Sequence, residues 1–443
     1  VKSRLFFRLG LLLTVVTVLA GTAWLWAIDY EAFVGNVAAR YVPPDKLARF
    51  RGTLLTPGRF DGLRLAALVV SLLSVLGVAA FWQKNNEFTR FLRQLAAPAR
   101  HTWQRTSQSE RWALAALLIF VAITRLYFAA QLPLHVDERF TYLYFVGKGW
   151  VVSASYYPNP NNHILFSLLA GVPANCGIFN SGVFFENPLW VLRTTALLVG
   201  MLATLAWWGA VRFFLPARVA LTAAALMAFA PPVFGYGIQG RGYGLLLFWM
   251  ALLAAASVRM VQNRRVAGLP AVVFATSGTL GFYTIPSFVY PFAGAMIFLF
   301  LSVIRQKNFF QLVRLCVLAV SVGIGTLVLY LPVFLANGWR AVTHNDWVAP
   351  LPGEKFWPAL LPNLAEGAAL LWNDWPAAPW LTLLLSGLAF WATTDRKLFA
   401  VSERHWLGLY LCCLWVLPLL LVWRQTPFYS RVLVYVLPLH WLA

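Results

Sequence analysis

The sequence predicts an all-α polytopic membrane protein of about 11–12 transmembrane helices, with loops and interfacial helices on the outer face. Three observations predict it. The chain is 60% hydrophobic and only 11% charged, whereas soluble domains carry about a quarter charged residues. Apolar stretches close to the ~20 residues that cross a bilayer recur along its length. Its 21 tryptophans suit aromatic belts at two membrane surfaces.

The first apolar stretch, Val1 to Trp26, follows Lys2, Arg4 and Arg8. It is too long for a signal peptide and reads as a first helix. Residues 29–61 are polar, with Pro43, Pro44, Pro57 and Gly58 as breakers. A second span runs from Gly62 to Trp82. Residues 83–111 are basic, and Phe88, Phe91, Leu92 and Leu95 recur there at helical spacing, which predicts an amphipathic surface helix. The third span, Trp112 to Gln131, leads into a polar stretch, 132–162. His163 to Ile178 reads as an apolar helix lying on the membrane. Further spans are expected over 190–214, 219–236, 243–258, 267–283, 288–304, 317–335, 381–393 and 406–422. A last stretch begins at Val432, too short to cross before the sequence stops; it reads as re-entrant or as the start of a span cut short. Residues 1–110 thus form an N-terminal two-helix module, and 111–443 a membrane core.

The net charge of +20 does not point to nucleic acid, because the cations are scattered through short loops between apolar spans. They act as topology signals and as attraction for anionic lipid. With the N-terminus inside, the inner loops hold Arg212, Arg218, Arg259, Arg264, Arg265, Arg305, Lys307, Arg314, Arg396, Lys397 and Arg404. Most acids fall outside: Asp137, Glu138, Glu186, Asp346, Glu354, Glu366 and Asp374. One segment breaks the pattern, residues 29–61, an outer segment with Arg40, Lys46, Arg49, Arg51 and Arg59. Of the four cysteines, Cys316, Cys412 and Cys413 sit in apolar spans and Cys176 has no loop partner, so no disulfide framework is implied.

The chemistry is expected in 132–165. Asp137 and Glu138 are adjacent carboxylates just beyond a membrane helix that Pro133 ends, in a chain with only 15 acids. A carboxylate at a low-dielectric surface can act as a general base. Asn162 and His163 offer hydrogen bonds to hydroxyls or phosphate, and Tyr156 and Tyr157 offer faces for a sugar ring. Glu186 is a further outer acid able to bind substrate. His135, Asp137 and His163 could hold a divalent metal, although their spacing matches no strict motif, and no other cofactor is implied. Arg193, Arg241 and Arg431 stand at outer helix ends, where cations suit the phosphate of a lipid carrier. Arg125 lies inside a span and calls for an internal partner. The outer stretch 336–380 repeats Asn-Asp-Trp at 345–347 and 373–375, beside Trp339, Trp357 and Trp372; aromatic planes next to carboxylates suit sugars, and Trp anchors at an interface look the same. There is no nucleotide-binding glycine fingerprint, P-loop or Gly-x-Ser-x-Gly elbow.

These residues together resemble the GT-C glycosyltransferases, most closely the group containing protein O-mannosyltransferases and lipid A aminoarabinose transferases. The likeness rests on a helix with an arginine (Arg125), then Pro133-Leu134-x-x-Asp137-Glu138. Asn162-His163-Ile164-Leu165 stands where relatives have His- or Lys-Pro-Pro-Leu. Leu192-Arg193-Thr194, Arg241-Gly242-Tyr243 and Arg431 follow in order. It covers 111–443 and is strongest over 125–245. The chain departs from some relatives in lacking an acid near 239–241, and residues before 84 have no counterpart. The resemblance implies transfer of a sugar from a polyprenyl-phosphate donor to a lipid, glycan or protein acceptor, with inversion. The site would face the periplasm or exterior of a bacterial inner membrane. Asp137 would be the base, Glu138 its orienting partner, and Arg241 and Arg431 would hold the leaving phosphate. A transporter or flippase of lipid-linked sugars is the competing expectation; no internal repeat speaks for it.

Overall fold

A computed structural model describes residues 2–41, 48, 51–52, 56–83, 97–158, 162–175, 190–343, 349–395, 397–426 and 430–443. All secondary structure among the described residues is helical, and the protein is an all-α polytopic membrane protein. Among the described residues six helices are long and apolar enough to cross a membrane, or up to seven if one bent pair counts as a span. Shorter apolar helices lie at Ile164–Ala174 and Ala378–Thr394.

The chain forms two compact units: residues 1–97, 155–158 and 330–341, and residues 98–154, 159–329 and 342–443. The first unit contains α1 (Lys2–Ala27), α2 (Tyr30–Tyr41) and α3 (Pro57–Gln83). Helices α1 and α3 pack together, joined by a hydrogen bond between the Thr22 and Ser71 hydroxyls at 2.7 Å. Leu25, Phe33 and Phe60 form its apolar centre. Here the anomalous positive charge finds a use. Arg64 donates to the Leu25 and Ile28 carbonyls at 3.1 and 2.6 Å, and Arg59 to the Ala336 carbonyl at 2.6 Å. These arginines cap the carbonyl ends of α1 and of the helix ending at Asn337. Tyr156 and Tyr157 belong to this unit, and Tyr157 packs edge-on against Tyr330, 6.4 Å between ring centres.

The second unit begins with α4 (Gln108–Gln131), α5 (Val136–Tyr144), α6 (Ile164–Asn175) and α7 (Trp190–Arg212). It continues with α8 (Ala217–Phe229), α9 (Pro231–Ile238), α10 (Tyr243–Gln262), α11 (Gly268–Thr284) and α12 (Val289–Arg305). Next come α13 (Phe309–Asn337), whose final residues from Tyr330 belong to the first unit, α14 (Gly353–Leu371), α15 (Ala378–Thr394) and α16 (Val401–Arg424). Helix α10 is the centre. It is apolar all round, packs on α7, α11, α12 and α16, and is the most buried of the six spans, as expected of a helix without a polar face. Helix α4 instead turns Ile119, Phe120, Ile123 and Tyr127 outward, the lipid-facing stripe of a peripheral span.

The structure adds detail to several expectations. Residues 219–236 are not one continuous helix: Pro231 and Pro232 supply no amide hydrogens, and α8 and α9 meet at 60°. The 132–162 stretch is not a loop but carries α5 and a short helix, Trp150–Ser155. The stretch from Val432, expected to be too short to cross, forms a 3₁₀ segment (Ser430–Tyr435) and one helical turn (Leu437–His440). Within 336–380, α14 occupies Gly353–Leu371, and Asn373 and Asp374 form a left-handed turn with φ of 53° and 60°. Phe88, Phe91, Leu92 and Leu95, on which the amphipathic helix expected over 83–111 rests, lie outside the described residues, as do Glu186, Cys176 and the first Asn-Asp-Trp.

The second unit has two chemically different ends. At one, Arg212 pairs with Glu110 at 2.7 Å, and Arg259, Arg264, Arg265, Arg305, Lys307, Arg314 and Arg404 gather near helix ends. At the other lie α5, the starts of α6, α7 and α10, and the 3₁₀ segment with Arg431.

Candidate functional site

Helix α5 is built by its own first turn. His135 is the N-cap; its Nδ1 accepts from the Asp137 amide at 3.2 Å, and Glu138 Oε2 accepts from the His135 amide at 2.8 Å. This reciprocal arrangement is a capping box, and the two acids favour the positive end of the helix dipole. One helical turn sends the two carboxylates in different directions.

Glu138 is fully buried. Its Oε1 accepts from Arg193 Nε and from the Gly240 amide, both at 2.9 Å, and its Oε2 from Arg193 Nη2 at 2.9 Å as well as from His135. Four donors fill the four sites of a carboxylate. Burial pushes its pKa up, but the Arg193 and backbone hydrogen bonds and the Arg193 charge outweigh that, and it is held below the ordinary value. Glu138 is a fixed anion and an anchor. Arg193 is equally committed: besides Glu138 it donates to the Ala129, Leu132 and Pro133 carbonyls at the end of α4. All five guanidinium hydrogens are used, so Arg193 holds the acid and the helix end in place and has no donor left for the phosphate the sequence suggested.

Asp137 differs. Its side chain keeps a quarter of its surface exposed and pairs with Arg241 Nη1. Arg241 stands in the turn between α9 and α10, where the Gly240 amide reaches Glu138 and the Gly242 amide donates to His163 Nδ1 at 2.8 Å. Both glycines serve close approach: a Cβ at Gly240 would strike Leu192, and one at Gly242 would sit 3.0 Å from the His163 ring and 3.1 Å from Thr284. Backbone and side chain of a three-residue turn therefore engage both acids and the histidine.

His163 precedes α6 and is buried against Tyr243, edge to face at 5.4 Å. Burial, then the charges of Arg241 and Arg431, hold its pKa well below the ordinary value; the ring is neutral. Because Nδ1 accepts from Gly242, the ring proton is on Nε2. Nε2 lies 3.3 Å from Arg241 Nη2. Two donors thus face one space, and an oxygen acceptor is what both can bind. A metal ion does not fit His163, since one nitrogen is occupied and the other faces a cation. Among the described residues no three histidine, cysteine or acidic side chains gather as metal ligands.

Arg431 lies on the 3₁₀ segment, and its charge acts on both His163 and Tyr236. The structure therefore brings Asp137, Glu138, His163, Arg193, Arg241 and Arg431 to one end of the second unit. Asn162 has a supporting part: it donates to the Ser153 carbonyl and accepts from the Ser167 hydroxyl, each at 2.9 Å. Two residues were given no role from the sequence. Tyr243 lies under the Arg241 guanidinium at 5.5 Å, and Tyr236 packs on Tyr243 at 4.5 Å. The signal for Tyr243 was its place beside Arg241; Tyr236 sat in what read as an unbroken span. Two carboxylates and three guanidinium groups leave the cluster one positive charge in surplus.

Comparison of the chain with known family models and with curated proteins gives no match.

Proposed function

We propose that the protein is a membrane glycosyltransferase that moves a sugar from a polyprenyl-phosphate donor to a lipid, glycan or protein acceptor. The observation that carries this reading is the unequal pair of carboxylates. Glu138 is saturated, whereas Asp137 is partly exposed and tied to Arg241 beside a neutral histidine. The donor phosphate binds in the space faced by Arg241 and His163, with Arg431 supplying the surplus charge. A phosphate competing for Arg241 releases Asp137 to accept a proton. Asp137 takes the proton of the acceptor hydroxyl, whose oxygen attacks the anomeric carbon. The bond from that carbon to the phosphate oxygen breaks, the electron pair leaves with the polyprenyl phosphate, and the sugar is inverted. Arginines crowd the opposite end of the unit, and cations mark the cytoplasmic side, so the reaction faces the periplasm or exterior of a bacterial inner membrane.

The test is incubation of purified protein with polyprenyl-phosphate sugars and measurement of released polyprenyl phosphate. No release with any such donor, acceptor mixtures included, counts against the reading. A transporter or flippase finds support in the broken α8–α9 pair, since transporters place substrate at helix breaks near the midplane. The charged cluster, however, lies at the end of the unit. Donor movement across vesicles without release of polyprenyl phosphate would favour transport.

A further inference from the structure

Arg125 is the most costly residue of the second unit. It sits within the span α4, 2% exposed. Among the described residues no carboxylate pairs with it; its partner is a backbone oxygen, the Ala228 carbonyl at 3.1 Å. That is the internal partner the sequence called for, a backbone group rather than a charge, and it locates the residue's task. Ala228 is in the last turn of α8, where Pro231 and Pro232 follow. Those prolines bring no amide hydrogens to Met227 and Ala228, whose carbonyls would otherwise bond residues four further on. In a bilayer core water is absent, so freed carbonyls must find donors on other helices. A cation there also complements the negative end of the α8 dipole.

Neighbouring helices are shaped to admit the guanidinium. A Cβ added at Gly200 of α7 would collide with it. At Gly237 of α9 the three nearest atoms to such a Cβ, at 2.9, 2.9 and 3.2 Å, all belong to Arg125. A small cavity lined by Tyr236, Gly237, Tyr243 and Gly244 adjoins it. Three residues after Gly237 the chain enters the Gly240–Gly242 turn that engages Glu138, Asp137 and His163. The same α4 that carries Arg125 ends in the carbonyls held by Arg193.

We propose that Arg125 is a positioning residue: it caps the proline-broken end of α8 from another helix and so sets the direction of α9 and the Gly240–Gly242 turn. This rests on the cluster being the functional site, not on the chemistry performed there. Arg125 touches none of the groups in the cluster and acts through α9.

The test is amide exchange of the intact protein in nanodiscs, which needs no substrate and so fails or succeeds apart from the transferase reading. Arg125→Met should raise exchange of the Gly240 and Gly242 amides at least about ten-fold, the scale of a buried acceptor losing its donor. Exchange in α7 and α10 should stay unchanged. Arg125→Lys, which keeps charge and a donor, should restore much of the protection. Gly237→Ala should mimic Arg125→Met, and in the Arg125→Met background it should add little, since the three atoms nearest its methyl all belong to the guanidinium. Should Arg125→Met fail to fold, the lysine and Gly237→Ala variants carry the test. Wild-type exchange at Gly240 and Gly242 in Gly237→Ala, or a rise spread evenly over all the spans, would overturn the proposal.

Discussion

Replacing Asp137 with asparagine separates the two functions assigned to that carboxylate, proton acceptance and the ion pair with Arg241. The amide has nearly the same shape but cannot take a proton from a hydroxyl. General-base contributions run from about a hundred- to ten-thousand-fold, and a turnover loss in that range is expected. Donor binding should move the other way. Arg241 is 5% exposed and pairs with Asp137, which is a quarter exposed. Removing one partner of a buried pair costs about 3–5 kcal/mol. A phosphate that settles on Arg241 recovers part of that. If it recovers about a third, donor affinity rises about ten-fold. Single-turnover release of polyprenyl phosphate measures the first effect, and equilibrium binding of a fluorescent donor analogue the second. Wild-type turnover in Asp137→Asn would refute the base. Weaker donor binding would refute the competition between carboxylate and phosphate for Arg241.

Glu138→Gln should damage folding rather than chemistry, because its amide hydrogens would face Arg193 or the Gly240 amide; a loss of about 3–5 kcal/mol should appear as a lower melting temperature in detergent, and an unchanged one would count against it. Arg431→Ala should weaken donor binding about ten- to a hundred-fold, the scale of a charge-assisted hydrogen bond, and should lower turnover as well; unchanged binding removes Arg431 from the phosphate site. For pH, His163 is held well below its ordinary 6.5 and Glu138 below 4.5, so in each case the unfolded chain protonates first. Both contributions are therefore full above the ordinary value and are lost as pH falls, His163 beginning near 6.5 and Glu138 near 4.5. Melting temperature against pH should decline from about 6.5 downward, and His163→Asn should flatten the upper part of that decline; an identical profile would refute the assignment.

Much of the site was legible because charge is rare in this chain. Against so apolar a background, Asp137, Glu138, Arg193 and Arg241 stood out one by one. Their division of labour did not, since adjacent residues on a helix point about 100° apart and only packing decides which enters the core. Glu138 at the third helical position closes the capping box and meets Arg193; Asp137, one step earlier, stays at the surface. The break at Pro231-Pro232 was printed in the sequence, yet hydropathy alone ran straight through it. Arg125 was legible as a buried cation, but its partner is a backbone carbonyl, which composition never displays.

The charges of the cluster follow one rule of placement. Where a pair must hold the scaffold, as Glu138 and Arg193 do, every donor and acceptor is used within the protein and burial is complete. In the pair that the proposed reading makes responsive to a ligand, Asp137 and Arg241, one partner stays partly exposed and the other faces a second donor, His163 Nε2. A saturated ion pair offers an incoming phosphate no unused hydrogen bond. A pair of facing donors beside an accessible carboxylate gains from an added oxygen. The proposed reading therefore puts anion binding at Arg241 and Arg431 rather than at Arg193, although all three looked alike in the sequence. A variant with Arg193 changed to lysine should lose stability without any specific loss of donor affinity in the protein that remains folded. A selective loss of donor affinity there would reverse the assignment.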